Sequence, residues 1–412
     1  MRTSITIALF TIVILGGTHA QTLDDYLSEA AANNPGLKAH YAQFEAAVQR
    51  GAQAAQMPNP TLNFGYFIQP IETRVGPQQA KIGLSQMFPW FGTLKAKSDR
   101  AAYLAEAKYY LFIDARERLF ESIKEAYYAL YENQKLVEIE ESNLDIFGSL
   151  HTISKSKYVN DMGSMADVYR VEIAIDESRT VIELLKEQRS SLEFQFNNLL
   201  NRGDTATVHV TDSLSMPTQP FAESAEGFTL HPRQLSIAEM KSSADAAEQA
   251  AKRSGYPGFG LGVDYVLVGD RTDMNVAGSG KDALMPMLSL SLPIYRKGYT
   301  AARKEAQKLQ EAYAEQSLQL ENELESELDR AVYDRLKARS NYDLLHRQIA
   351  KTETIVELLI NEYSNDAMNF EVLLREQQNL LNYQKDKVRF LTIAFTTEAH
   401  IAYLNTETNE NK

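Results

Sequence analysis

The sequence predicts a mainly α-helical protein with a small β part, built by using one structural unit twice. Three observations carry that prediction. The order helix, two strands, long helix, turn and helix recurs in both halves of the 412-residue chain. Helical patterning without Pro or Gly persists across residues 299–361, far beyond an ordinary globular helix. Four short segments alternate apolar with small or polar residues, the period of a strand with two unlike faces.

The chain opens on MRTSITIALFTIVILGGTHA, with an early Arg2, an apolar stretch from Ile5 to Leu15 and then small residues. That stretch is far short of the roughly 20 residues a spanning helix needs, so residues 1–20 are expected to be a secretory signal cleaved after Ala20. The chain contains no cysteine. Disulfides, thiolate metal sites and an acyl anchor on a first cysteine are therefore not expected, and stability must come from packing or oligomerisation.

Residues 21–202 form the first repeat. TLDDYLSEAAANNPGLKAHYAQFEAAVQRGAQAAQ is helical, and PTLNFGYFIQP and AKIGLSQMFP give strands at about 61–69 and 80–88 with a loop between them. From Trp90 the pattern is helical to about Ser156, and after a turn a further helix runs from about Met165 to Asn201. Residues 203–230, rich in Thr, Ser and Pro, form a connector with one short strand. Residues 231–412 repeat the order, with strands at about 258–268 and 286–293, a long helix from about Tyr299 to Asn361 and a last helix to about Thr406.

A helix of about 60 residues at ~1.5 Å each is roughly 90 Å long. Its large apolar residues fall at Leu320, Leu324, Leu328, Val332 and Leu336, and Leu119, Ile123, Tyr127 and Tyr131 do the same in the first half. Steps of four overshoot the helical turn by about 40° each, so this stripe winds around the helix and must meet different neighbours. A wall of helices suits it; an ordinary long antiparallel coiled coil is the alternative.

On the alternating segments Leu62, Phe64 and Tyr66, then Leu84, then Phe259, Leu261 and Val263, then Leu290 share the bulky face, opposite Asn63, Gly65, Gly83, Gly262, Asp264 and Ser289. Bulky residues out and small polar ones in, over about 10 residues, is the pattern of a tilted lipid-facing barrel strand. A soluble hairpin packed on helices would look similar. Four strands cannot close a barrel, and open edges in lipid leave backbone groups unpaired at several kcal/mol each. Closure by identical copies is therefore required, and three copies giving twelve strands is the most economical version.

The net charge of −13 argues against a nucleic-acid partner. Seven histidines are scattered with no close metal-ligand spacing, so no metal site, cofactor or catalytic constellation is expected. Residues 278–281, GSGK, fail as a phosphate loop because Asp282 follows Lys281. The two turns instead draw notice. KYVNDMGSMADVYRVE and EYSNDAMNFEVLLREQ both place Asn-Asp before an amphipathic run, as Asn160-Asp161 and Asn365-Asp366. Asn-Asp with Gly163 suits a turn of positive φ that caps the next helix.

The duplicated layout, the paired turns and the passages LSQMFPWFGTLKAKSDRA and LSLPIYRKGYTAARKEA resemble the outer membrane efflux protein family, the TolC-type channels. The segment GYFIQPIETRVGPQQAKIGLSQMFPWFGTLKAK is most similar to its heavy-metal branch, which links the chain to metal resistance. The resemblance implies a homotrimeric duct, with a twelve-stranded barrel in the outer membrane continuing into a periplasmic helical barrel. It implies a periplasmic adaptor protein and an inner-membrane transporter as partners. It places Glu371, in the run Glu371-Val372-Leu373, at a constriction with Asn365 and Asp366, and makes Asn160, Asp161, Gly163 and Asp167 the docking tip. Leu374 and Arg375 stand where relatives carry a second acid. Both Asp167 and Glu371 also suit the positive end of a helix dipole. The competing function is a soluble periplasmic coiled-coil adaptor or scaffold.

Overall fold

The computed structural model describes residues 21–204, 206–211, 213–217, 228–365 and 370–408. The expected signal at 1–20 lies outside them. The first repeat contains α1 (Leu23–Asn33), α2 (Pro35–Ala55), β1 (Thr61–Thr73), β2 (Gly76–Phe88), α3 (Thr93–Val159) and α4 (Met165–Leu200). The second contains α5 (Pro232–Ser254), β3 (Gly258–Val268), β4 (Ala283–Ser291), α6 (Lys297–Ser364) and α7 (Phe370–Leu404). Both repeats open a helix with the same chemistry. Asn34 accepts a hydrogen bond from Leu37 N ahead of Pro35, and His231 accepts one from Arg233 N ahead of Pro232. Proline fits there because the first helical N–H has no partner to lose.

The chain divides into two compact units, both crossed by α3 and α6. One comprises residues 34–121, 228–337 and 397–408 and carries the sheet. Its strands lie in the order β1-β2-β3-β4, each antiparallel to the next, and the two repeats join at β2–β3. The register aligns bulky residues across all four strands, as in Leu62–Leu84–Val263–Pro286 and Phe64–Ile82–Tyr265–Leu284. On the opposite face, Asn63–Gly83–Asp264–Met285 form a row. Asp264 is buried there and pairs with Lys81. A Cβ on Gly83 would stand 2.3 Å from Asp264 Oδ1, so glycine makes the room for that carboxylate.

The strand limits differ from the sequence expectation in the first hairpin. Residues 69–80 are mostly paired strand, not loop, turning between Thr73 and Gly76. Pro70 falls in edge strand β1 where the register breaks between Tyr66 and Ile71, a place where the missing donor is tolerated. Gly76 turns at φ 135, with a would-be Cβ 1.9 Å from Gly269 O. Strand β4 starts at Ala283 and ends at Ser291, shifted from the expected 286–293 because Pro286 also lies in an edge strand.

The other unit comprises residues 21–33, 122–217 and 338–396. From Asn133 onward the buried positions on α3 are Asn133, Glu140, Phe147 and Ser154, interleaved with Leu136, Asn143, Leu150 and Lys157. Those are two seven-residue series, the a and d positions of a heptad. On α6 the buried series is Leu345, Ile349, Thr352, Val356, Leu359 and Tyr363. The seam carries polar pins: Gln377 Nε2 donates to Asn143 Oδ1 at 2.9 Å, Glu140 pairs with Lys385, and Thr392 donates to Glu132 at 2.7 Å. A slipped register would bury these groups unpaired, at about 1–3 kcal/mol for each neutral one.

The stripe of large residues behaves as its overshoot requires. Leu320 and Leu324 are buried, Leu328 and Val332 partly so, and Leu336 is 64% exposed. Ala331 and Ala338, seven and fourteen residues beyond Leu324, hold the buried face instead. The described part of the connector contains no strand, contrary to expectation. Tyrosine hydroxyls hold it: Tyr26 accepts from His209 N, Tyr127 from Thr211 N and Tyr131 from Leu214 N.

In the sheet unit, His231 is 1% exposed and lies edge-on to Tyr403, whose hydroxyl donates to Asp114 at 2.8 Å. Arg118 donates to the same carboxylate at 3.0 Å. Burial pushes the imidazole down to about 4, with Arg233 and Arg118 adding to the effect and Asp114 opposing it. Below the ordinary value of 6.5 the unfolded chain therefore takes up a proton that the folded chain refuses. Stability falls as pH drops from 6.5 towards 4, by on the order of 3 kcal/mol. Asparagine caps helices equally well, so His231→Asn should match the parent at pH 7 within about 1 kcal/mol and lose less on acidification. Urea unfolding at pH 7 and at about pH 4.5 reads this; equal losses in both proteins would contradict it.

Candidate functional site

The candidate site is the pair of turns that end α3 and α6. At the first, Asp161 N donates to Tyr158 O and Met162 N to Lys157 O, while Asp161 takes φ 56. This is a Schellman end, with Asp161 as the left-handed residue that stops the helix. Asn160 Nδ2 donates to Ser156 O at 2.8 Å, one turn back. At the second turn Asn365 Nδ2 donates to Asn361 O at 2.9 Å, again one turn back. The repeated asparagine thus closes the last turn of each long helix in the same way, adding a side-chain bond to a carbonyl that its own backbone N–H already reaches.

The positive φ expected of this turn falls at Asp161, while the cap of the next helix differs from the expectation. Gly163 is needed for closeness, since a Cβ there would stand 2.9 Å from Lys157 Cβ. The cap of α4 is Ser164, whose hydroxyl accepts from Ala166 N at 3.1 Å. Asp366 lies outside the described residues.

Asp167 and Glu371 both sit in first turns, of α4 and α7. Beneath Glu371 the chain is firmly packed: Phe370 and Leu373 are buried, and the Phe370 ring lies 4.9 Å from Tyr363. Lys157 stacks its ammonium over that tyrosine at 4.9 Å, so the first tip leans on the second. Each such buried apolar side chain contributes roughly 1.5–3 kcal/mol, which fixes where Glu371 can point.

One residue that sequence reasoning missed joins the two acids. Arg170 on α4 places Nη1 3.1 Å from Asp167 Oδ1 and Nη2 3.6 Å from Glu371 Oε2. The signal was present as the Asp-Arg spacing of three in Asp167-Val168-Tyr169-Arg170, one helical turn apart. Three charges of which two are negative leave the cluster net acidic. Asp161, by contrast, is exposed and its carboxylate has no hydrogen bond or ion pair among the described residues. No group of three or more His, Cys, Asp or Glu suited to a metal ion occurs among the described residues. The GSGK stretch lies in the β3–β4 loop with Gly278 and Gly280 at positive φ, and no helix follows it before β4.

Solved outer-membrane channels share this fold. CusC superposes with a TM-score of 0.78 at 16% identity, covering 94% of this chain and 93% of that one. VceC from Vibrio cholerae gives 0.75 at 14%, covering 94% and 97%. CmeC from Campylobacter jejuni gives 0.75 at 13%, covering 100% and 96%. No family model and no curated protein sequence matches the chain. At these identities the likeness establishes the fold, as the TolC-type resemblance anticipated, and near-equal scores do not select the heavy-metal branch.

Exposure sets the strength of the Arg170 bridge. The Arg170 and Glu371 side chains are 44% and 58% exposed, so water screens their attraction. A double-mutant cycle with Arg170→Ala and Glu371→Ala should give a coupling of about 0.2–1 kcal/mol that fades in ~1 M salt. A coupling above about 2 kcal/mol, or one indifferent to salt, would contradict a screened contact.

Proposed function

We propose that the chain is a passive exit duct of the outer membrane, closed from three copies and continued into the periplasm by its long helices. The observation that carries this reading is the sheet. Its bulky face is solvent-exposed on every strand, with Phe64 at 75%, Tyr66 at 78%, Ile68 at 91% and Leu288 at 77%. Leu62, Leu84, Leu261, Val263 and Leu290 are exposed too, while Phe259 is half-buried and stacked on Trp90. A soluble protein rarely presents so continuous an apolar surface, which weighs against the adaptor or scaffold alternative. Edge strands β1 and β4 each leave one side without a partner in the sheet. An even number of antiparallel strands lets β4 of one copy meet β1 of the next in antiparallel sense, so identical copies can close a ring.

In this reading the two tips divide the work. Glu371, with Asn365 and Asp366 before it, lines the periplasmic constriction, where three copies would put carboxylates around one axis and favour cations. Arg170 moderates that ring by sharing its charge between Glu371 and Asp167. Asn160, Asp161, Gly163 and Asp167 form the face offered to a periplasmic adaptor, with the unpaired Asp161 as its most available charge. An inner-membrane transporter supplies the cargo, and heavy-metal ions are the cargo class the sequence resemblance suggests. The duct itself holds no cofactor in this scheme and catalyses nothing.

Planar-bilayer recording tests it. The detergent-purified protein should form cation-selective pores, and Glu371→Gln should lower the selectivity and weaken block by multivalent cations. Absence of pores would refute the duct; unchanged block would remove Glu371 from the constriction.

A further inference from the structure

A cavity of about 440 Å³ lies where β2 and β4 end, β3 begins and α3 and α6 start. Trp90, Tyr256, Tyr295 and Tyr299 wall it, and its only charged lining residues are Lys97 and Arg253. Lys97 and Ser254 also line an adjoining groove of about 430 Å³. That groove is floored with alanine and carries Arg50, Lys97 and Arg100 against a single acid, Glu305. Arg50, Lys97 and Arg100 have no hydrogen bond or ion pair among the described residues. In a chain with 55 acidic and 42 basic residues, three clustered cations without an acid in contact are out of character.

Arg253 is held differently. Its Nη1 donates to Phe91 O at 3.0 Å, and Gly92, at φ 77, admits the guanidinium where a Cβ would stand 2.0 Å from that nitrogen. No other hydrogen bond of the Arg253 side chain is formed among the described residues. The first turn of α3 borders the same cavity. There Thr93 is 2% exposed and its hydroxyl has no hydrogen-bond partner among the described residues. Cations, a helix N-terminus and an unsatisfied hydroxyl together describe a place for an anion with several acceptor oxygens.

We propose that this junction binds the phosphate of a phospholipid headgroup, with Arg50, Lys97, Arg100 and Arg253 as its charge partners. The inference rests on the membrane-spanning reading of the sheet. A lipid fits better than a free anion because the cavity adjoins the exposed apolar face. Leu292 and Ile294 line it at 59% and 77% exposure, and Tyr295 at 91%. Amphipathic aromatic rings settle where hydrocarbon gives way to headgroups, and the strands end there. The site therefore anchors the channel at the helical side of the membrane through charge and aromatic contact.

The test is native mass spectrometry of the full-length protein extracted in detergent, with phosphatidylglycerol, phosphatidylethanolamine or inorganic phosphate added. The parent should retain phosphatidylglycerol best. The Arg50→Gln, Lys97→Gln, Arg100→Gln triple variant, assembled as the parent is, should retain it about tenfold less. Equal retention by parent and variant, or phosphate retention without lipid retention, would overturn the proposal. If the triple variant fails to assemble, Lys97→Gln alone must show weaker retention, and unchanged retention there would overturn it as well. Recovery of the protein in solution without detergent would instead refute the membrane reading, before any lipid is added.

Discussion

A sheet of four strands has two edges, and every edge leaves a row of N–H and C=O groups without partners. The rest of this protein depends on how that constraint is met. The bulky face of the sheet is exposed on all four strands, as lipid contact requires, yet hydrocarbon offers nothing for the edges of β1 and β4 to bond. The strands can persist there only if another copy completes each ladder. In the proposed duct, oligomerisation becomes part of the fold itself, and the helices take the same symmetry.

Duplication is how one chain prepares for this. The two repeats meet inside the sheet at β2–β3, where Leu84 faces Val263 and Gly83 faces Asp264. The opposite face mixes small residues with Met285 and Met287, and Gly83 yields its side-chain space to the Asp264–Lys81 pair. In the helical unit, heptad-spaced burial on α3 and α6 is pinned by Asn143–Gln377 and Glu140–Lys385. Those pins cost desolvation, and their value lies in register, because a helix slipped by a turn would strand them. Asn160 and Asn365 then end both long helices with the same side-chain bond, although the first tip continues into Gly163 and Asp167 and the second into Met368 and Glu371.

Much of this was legible in the residues, for physical reasons that also explain the failures. Element order and the four strands were visible because periods of two and of about 3.6 leave distinct marks. The first hairpin was cut short because Pro70 and Pro77 suggest a loop, whereas proline is tolerated at a break in register and at the start of a strand. The stripe of large residues on α6 winds off the seam by Leu336, as its four-residue steps require, whereas the small Ala331 and Ala338 that carry the seam there leave no such mark in the sequence. The turn of positive φ at the first tip was legible in Asn-Asp with Gly163, and Asp161 is the residue that adopts it, as short polar side chains can. Arg170 escaped notice because its second partner, Glu371, is distant in sequence; only the fold brings α4 and α7 together. The unpaired cations at the strand-to-helix junction are likewise a fact of three dimensions, since each has acids nearby in the chain.

The proposed duct turns on β1 of one copy pairing with β4 of the next, and on three copies closing the ring. A chain without cysteine allows a direct measurement, because any disulfide must come from introduced residues. Single cysteines placed on β1 at Thr61, Asn63 or Gly65, each combined with one on β4 at Met285, Met287 or Ser289, would be oxidised in native membranes. The products would then be separated under denaturing, non-reducing conditions. A closed trimer predicts that at least one combination forms a ladder of covalent species ending at three copies. Monomers for every combination, or a ladder that runs on past three, would contradict it.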